Sequence, residues 1–485
     1  MSAPAHRESG AFRLPNQGKR GAMRGEISDK VAFLLFTLSL AFLIFLSGTV
    51  VIMADVFPSA YVRDAYRAGT ALYQKSTRIH DPLTSDLWRS ARSAERGVTL
   101  HDPARAQDGL TLYSSGHAPM AMLIDMNGAV VHEWRKPYSE IWDKQSAAVK
   151  HPVPDDQTYF RKAFAFPNGD LLAVYDGVGD TPYGYGMVKL DADSRVLWKN
   201  LDHFHHSFDV GADGRIYGLT HAYRSDALIN SVGYLVDHLA EPVLDDSLVV
   251  LSPGGEILKK ISLIDALNDS PFRRLLWRVP SFSLEDPLHT NDVDLLDRDA
   301  AARLAQKVPV AREGQVLLSF RELATGVLAL LDVEQEKIVW VLQGQWLAQH
   351  DADVLPNGNI LVFDNRGHFG PGGQSRLAEI DPATGGVVWT YAGNEAQPFD
   401  SDIRSEQELL PNGNILITES NPGRIFEITR AGDIVWEYIN PVRAGDGDSL
   451  VPVVSWAQRI DPDRLDVAFR GKLSAALQTT EVKSP

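Results

Sequence analysis

Three histidines occupy one register of a repeated segment. Eight residues before the turn glycines Gly214 and Gly358 stand His206 and His350, and in a copy whose turn is worn the matching position is His289. The three segments read HSFDV, HTNDV and HDADV, identical at three of five positions. The same count from Gly169 and Gly413 reaches Arg161 and Ser405. A second set lies seven residues after Gly169, Gly214, Gly314, Gly358 and Gly413: Asp176, His221, Arg321, Asn365 and Ser420. In an antiparallel pair the end of the second segment lies beside the start of the first, so Arg321 should reach the level of the histidines. Asn291, two residues beyond His289, shares its face if strand alternation is unbroken. Imidazoles supply a base or nucleophile and arginine a planar cation. With an amide they suit a compact oxyanion.

The neighbouring residues read as support. Asp209, Asp292 and Asp353, three after each histidine, should point to the opposite face and tie segments together or cap turns. Trp134, Trp198, Trp340, Trp389 and Trp436 end their repeats and read as packing. His203, His205, His221 and His368 read as residues behind the site or in loops.

Positioning these side chains requires a repeating β architecture. One unit, a turn followed by a strand, recurs at 166–175, 211–220, 312–321, 355–364 and 410–419. A second hairpin-like unit follows each, at 187–198, 248–260, 328–340, 377–389 and 425–436. A sixth copy of the second unit, 120–134, stands alone at the start, and 451–460 reads as its missing inner strands. Chain ends that complete one blade close a radial repeat. The prediction is an all-β, six-bladed β-propeller over 109–470, followed by a tail at 471–485. Equivalent positions on its blades form rings around the axis, which is why the three histidines should converge. The long segments 135–160, 221–247, 262–288 and 298–312 should elaborate one face of the disc.

Residues 31–53 carry no charge. As a helix they would span about 34 Å, enough for a hydrocarbon core of about 30 Å. The run is longer than a signal-peptide core and lies behind 30 residues, so it reads as an uncleaved single-pass anchor. Arg7, Arg13, Lys19, Arg20, Arg24 and Lys30 precede it, which predicts a cytoplasmic basic tail at 1–30 and a propeller outside the cytoplasmic membrane, periplasmic in a bacterium. Residues 54–108 read as a partly helical, membrane-proximal connector, with helical runs at 65–76 and 86–96 and no chemistry.

Composition narrows the partners. The net charge is −16, yet residues 1–30 carry +3, which leaves −19 on the remainder. Such a chain repels phosphate backbones, so no nucleic acid partner is expected. With no cysteine, disulfides, thiolate metal sites and cysteine nucleophiles are excluded.

The chain resembles the bacterial arylsulfate sulfotransferase family, six-bladed periplasmic propellers with a histidine-rich axial site. The resemblance runs over 109–470 and rests on HHSFDV (205–210), HTND (289–292), SFRELATGVLALLD (319–332), QHDADVLPNGNILVFDNRG (349–367) and the paired LPNGNIL turns. It implies transfer of a sulfuryl group from an aryl sulfate to a phenol, by a ping-pong route through a sulfohistidine and without a nucleotide donor. It also implies that His350 is the transient nucleophile, with His206, His289, Asn291 and Arg321 as its axial partners. Arg321, His289 and Asn291 would hold the sulfuryl oxygens, Asn365 and Arg161 would help to bind substrate, and His206 would exchange the phenolic proton. No cofactor or metal is called for. Well-known members are soluble and carry an N-terminal β-domain and cysteines, where this chain has an anchor and a connector.

Two readings of other classes stay open. The three imidazoles could hold a metal ion, although the nearby arginine would repel it. The propeller could also be a tethered, non-catalytic binding or assembly module.

Overall fold

The computed structural model describes residues 18–54, 56–59, 61, 62, 65, 66, 69, 81–179, 183–323 and 326–473. Most of the basic tail, most of the helical run expected at 65–76 and most of the C-terminal tail lie outside the described residues; Ala65, Tyr66 and Gly69 of that run are described and are helical. The chain divides into two compact units, Met1–His80 and Asp81–Pro485.

In the first unit a helix runs from Gly18 to Met53. Its stretch Asp29–Met53 has a mean hydropathy of 2.4 and none of its apolar surface is covered. This helix is long and apolar enough to cross a membrane.

The second unit is a six-bladed β-propeller. Among the described residues six sheets carry four successive antiparallel strands each. Blade 2 holds Thr158–Ala165, Leu171–Gly177, Gly184–Leu190 and Val196–Asn200, and blade 3 runs from Phe204 to Ser262. Blade 4 runs from Thr290 to Gln343, blade 5 from His350 to Ala392, and blade 6 from Glu406 to Ile439. Blade 1 closes the ring. Its three outer strands are Leu110–Ser115, Met120–Ile124 and Val130–Arg135, and its innermost strand, Val454–Ile460, comes from the far end of the chain. Only that one strand is C-terminal: Leu110–Ser115 supplies the second strand from the N-terminal side, where 451–460 had been expected to supply both.

Middle strands such as Leu171–Gly177 and Val316–Phe320 are buried along their whole length, because both faces of a blade pack against neighbours. The apolar core therefore lies between blades; Phe363 and Leu377 of blade 5, for example, pack with Ile417 and Phe426 of blade 6. The tight turns need backbone that L-residues avoid. Gly169 sits at φ 87°, and a Cβ there would lie 2.4 Å from the Phe469 ring.

The repeat-ending tryptophans join consecutive blades. The indole N–H of Trp134 donates to the Gly169 carbonyl, Trp198 to Pro253, Trp389 to Arg430 and Trp436 to Met126. Nearer the axis the aspartates do the same. Asp209 accepts from Leu295 N–H at 2.9 Å, and Asp292 accepts from the Ser207 hydroxyl at 3.1 Å and from Ala352 N–H at 2.9 Å. Gln407 donates to Asp353 at 3.2 Å.

The segment before the propeller departs from expectation. Residues 86–96 form no helix: Trp88–Ser90 pairs antiparallel with Leu450–Pro452, and Gly97–His101 adds a fifth strand to blade 6. Two arginines of this run form ion pairs, Arg92 with Glu419 at 2.7 Å and Arg96 with Asp448 at 2.5 Å. Tertiary pairing overrides a modest helical preference here.

Candidate active site

Five of the six innermost strands share one irregularity. Pairing with the second strand skips one residue between Phe160 and Lys162, between Thr290 and Asp292, between His350 and Ala352 and between Val454 and Trp456, and two residues between His205 and Phe208. Each skip is a β-bulge near the start of the strand, and bulges re-aim side chains. Backbone strain gathers at the same level: φ is 52° at His206, 43° at His289, 51° at Asp351 and 62° at Arg404. Left-handed backbone at a non-glycine residue costs on the order of 1–2 kcal/mol, and such costs concentrate at functional sites.

The bulges aim side chains of several blades into one axial cavity of about 280 Å³. Arg161, His206, His289, Arg321 and His350 all line it, as the register predicted. The ring centroids of His206 and His289 are 5.1 Å apart, and those of His206 and His350 6.5 Å. Asn291 does not line the cavity. It is a bulge residue, so alternation from His289 breaks, and its amide donates instead to the Gln349 carbonyl at 2.7 Å. Asn365 lies behind His350 rather than on the cavity wall.

His350 is held in one orientation. Its Nδ1 lies 2.8 Å from Asn365 Oδ1 and 3.1 Å from the Ala348 carbonyl. The Asn365 amide nitrogen donates to the carbonyls of Ser401 and Arg404, so its oxygen is the atom that faces the imidazole. Both neighbours of Nδ1 are acceptors; Nδ1 therefore carries the proton and Nε2 keeps its lone pair. That Nε2 has no hydrogen-bond partner among the described residues. Burial, and then the guanidinium groups of Arg321 and Arg161, hold this imidazole well below the usual histidine range. It is neutral at physiological pH.

His289 has both nitrogens engaged. Nδ1 lies 2.5 Å from Asp286 Oδ2, and Nε2 accepts from Arg321 Nη1 at 3.2 Å. It thereby positions the Arg321 guanidinium, whose buried Nε makes no hydrogen bond among the described residues and lies 3.6 Å from Glu322 Oε1. His206 Nδ1 lies 2.8 Å from His205 Nδ1, and burial followed by the neighbouring His205 and His289 keeps it neutral.

Several cavity residues escaped the sequence reading. Arg404 ion-pairs with Asp86 at 2.7 Å and leaves Nη1 buried and unpaired. Tyr159, Tyr183, Asp176 and Asp86 complete much of the wall. Burial pushes the Asp176 carboxyl up to about 7, against the lowering pull of Arg161 and Arg404. Asp176 did stand in the second register ring, whereas Asp86 belongs to a segment read as devoid of chemistry. Arg404 immediately precedes Ser405, the register position of its blade, and that adjacency was its only signal.

The cavity thus presents three guanidinium groups beside an unprotonated imidazole nitrogen. Such a wall attracts a compact anion and offers it a nucleophile. Further along the axis a cavity of about 420 Å³ has the opposite character, with Asp209, Asp292, Asp294, Asp353, Glu406 and Glu408 facing Lys162 and Arg303. An anion is disfavoured there.

The sequence profile of the arylsulfotransferase (ASST) family matches residues 162–441, a range that contains His206, His289, Arg321, His350 and Arg404. No curated protein matches the chain. Among solved structures, the chain is similar to a protein of unknown function from Bacteroides caccae, with 13% identity, a TM-score of 0.44, and coverage of 72% of this chain and 99% of that one. It is also similar to a streptogramin B lyase, at 12% identity and a TM-score of 0.37 over 74% of this chain and 89% of that one. Virginiamycin B lyase from Staphylococcus aureus shows 10% identity and a TM-score of 0.37 over 76% and 88%. At these scores none of the three carries an argument.

Proposed function

The chain belongs to the arylsulfotransferase family, and from that premise we propose that its axial cavity transfers a sulfuryl group from an aryl sulfate to a phenol through a sulfohistidine at His350. The observation that carries the reading is the fixed tautomer of His350, with Nδ1–H held by Asn365 and Ala348 and Nε2 unpartnered on the cavity wall. In the first step Nε2 donates its pair to sulfur, the sulfur–oxygen ester bond breaks, and phenolate leaves with that bond's electrons. In the second step a phenol oxygen attacks sulfur and returns the pair to Nε2. Each transition state spreads negative charge over the sulfuryl oxygens, so stabilisation by fixed cations does most of the work. Arg321 and Arg404 have donors free for those oxygens, and Arg161 adds charge. His289 acts by positioning Arg321. His206 is the group placed to exchange a proton with the leaving and incoming phenol.

Mass spectrometry tests this directly. Protein exposed to an aryl sulfate without acceptor should gain one sulfuryl group on a peptide containing His350, and lose it when phenol is added. A mark on another residue, or none under conditions of measurable turnover, would overturn the assignment.

Asp176 sets the expected pH dependence. Its carboxyl is neutral below its pKa of about 7 and anionic above it. The new charge then opposes an anionic donor in the same cavity. The KM for donor should therefore rise several-fold as pH passes through 7, and Asp176→Asn should flatten that rise. Because His350 stays neutral, no acid limb should appear near 6.5.

The orientation of the anchor follows the charge bias. With six basic residues ahead of the apolar run, we place the N-terminus in the cytoplasm and the propeller on the other side, periplasmic in a bacterial cell.

A further inference from the structure

Behind His206, away from the cavity wall, three buried side chains face one another with part of their hydrogen-bonding capacity unused. His205 and His221 stack with ring centroids 4.3 Å apart and an interplanar angle of 16°. Asp246 Oδ1 lies 3.6 Å from His205 Nε2 and 4.0 Å from His221 Nδ1. All three residues are fully or almost fully buried. Among the described residues, His205 Nε2, both His221 nitrogens and Asp246 Oδ1 have no hydrogen-bond partner. Burying even one such atom unpaired costs on the order of 1–3 kcal/mol, so four in one place call for a common partner.

The separations fit that partner. Ligand atoms about 2.0–2.1 Å from a tetrahedral metal ion stand about 3.3 Å from each other. Small side-chain adjustments would bring the observed pairs to that spacing. The carboxylate is oriented for the task, since Asp246 Oδ2 accepts the Thr290 backbone N–H at 2.7 Å and leaves Oδ1 to face the imidazoles.

We propose that His205, His221 and Asp246 bind a divalent first-row transition metal ion, zinc in the first instance, as three protein ligands with water in the fourth position. Two imidazoles and a carboxylate, with no thiolate in the chain, suit that class of ion. The site is distinct from the axial trio, where arginines would repel a cation. It also reaches the axial cavity indirectly. With Nε2 on the metal, His205 carries its proton on Nδ1 and donates it to His206 Nδ1, 2.8 Å away. His206 is then fixed with its own proton on Nε2, as a proton donor needs. His205 is a positioning residue in this scheme.

The test uses the full-length chain in detergent, stripped with a chelator and titrated with Co²⁺ alone. One equivalent should bind, with the visible absorption of a tetrahedral N/O site, and Zn²⁺ should displace it. His221→Gln and Asp246→Asn should each abolish the band, whereas His350→Ala should keep it. If either variant fails to fold, wild-type protein remains decisive: chelation should lower its melting temperature by several degrees and Zn²⁺ should restore it. Substoichiometric metal after reconstitution, with a melting temperature indifferent to chelator, overturns the proposal. So does a band lost in His350→Ala but kept in His221→Gln, which would move the ion to the axial trio.

Discussion

Alanine in place of His350 is expected to lower sulfuryl transfer, read as release of a coloured phenolate from a chromogenic aryl sulfate in the presence of a phenol, by about 10⁴-fold or more. The substitution removes the nucleophile whose lone pair the surrounding network fixes in the cavity, and the arginines can hold a donor but cannot attack it. His350 is buried, so alanine also leaves a void. His350→Gln retains most of the volume and should be equally inactive, with a melting temperature closer to wild type. Turnover within tenfold of wild type in the glutamine variant would remove His350 from the mechanism.

The second large effect is expected at Arg321. Its guanidinium donates to His289 through Nη1, and its Nε, 3.6 Å from Glu322 Oε1, makes no hydrogen bond among the described residues, so it can meet charge that develops on the sulfuryl oxygens. Losing one preorganised donor of this kind costs about 10²–10³ in kcat. Arg321→Ala should show that loss chiefly in kcat. Arg321→Lys should recover little, because a single ammonium cannot reach His289 and the substrate at once. A variant that raised KM and left kcat unchanged would mean that Arg321 only binds the ground state.

The repeat made the propeller legible from residues alone. Turn glycines and repeat-ending tryptophans recur because every blade solves the same packing problem. Register then led to His206, His289, His350, Arg161 and Arg321, since equivalent positions on a radial repeat must converge. What failed was alternation along a single strand. Asn291 sits in a bulge, and no composition signal marks the residue at which pairing slips. Residues outside the repeat were equally hidden. Asp86 reaches the cavity because Trp88–Ser90 finds a partner more than three hundred residues away, and that pairing leaves no local trace. Asn365 was legible as a ring member, but its place behind His350 depended on the direction of one amide, which the Ser401 and Arg404 carbonyls decide.

The strand that closes blade 1 has a consequence for biosynthesis. Leu110–Ser115 is made more than three hundred residues before its inner neighbour Val454–Ile460. The ring stays open until that strand emerges, with a sheet edge that awaits it, and such long-range closure is slow. The same strand carries the Ser455 carbonyl that receives the Arg161 guanidinium at 2.9 Å. A nascent or C-terminally clipped chain therefore lacks one wall of its own pocket, and completeness of the polypeptide becomes a precondition for reactivity.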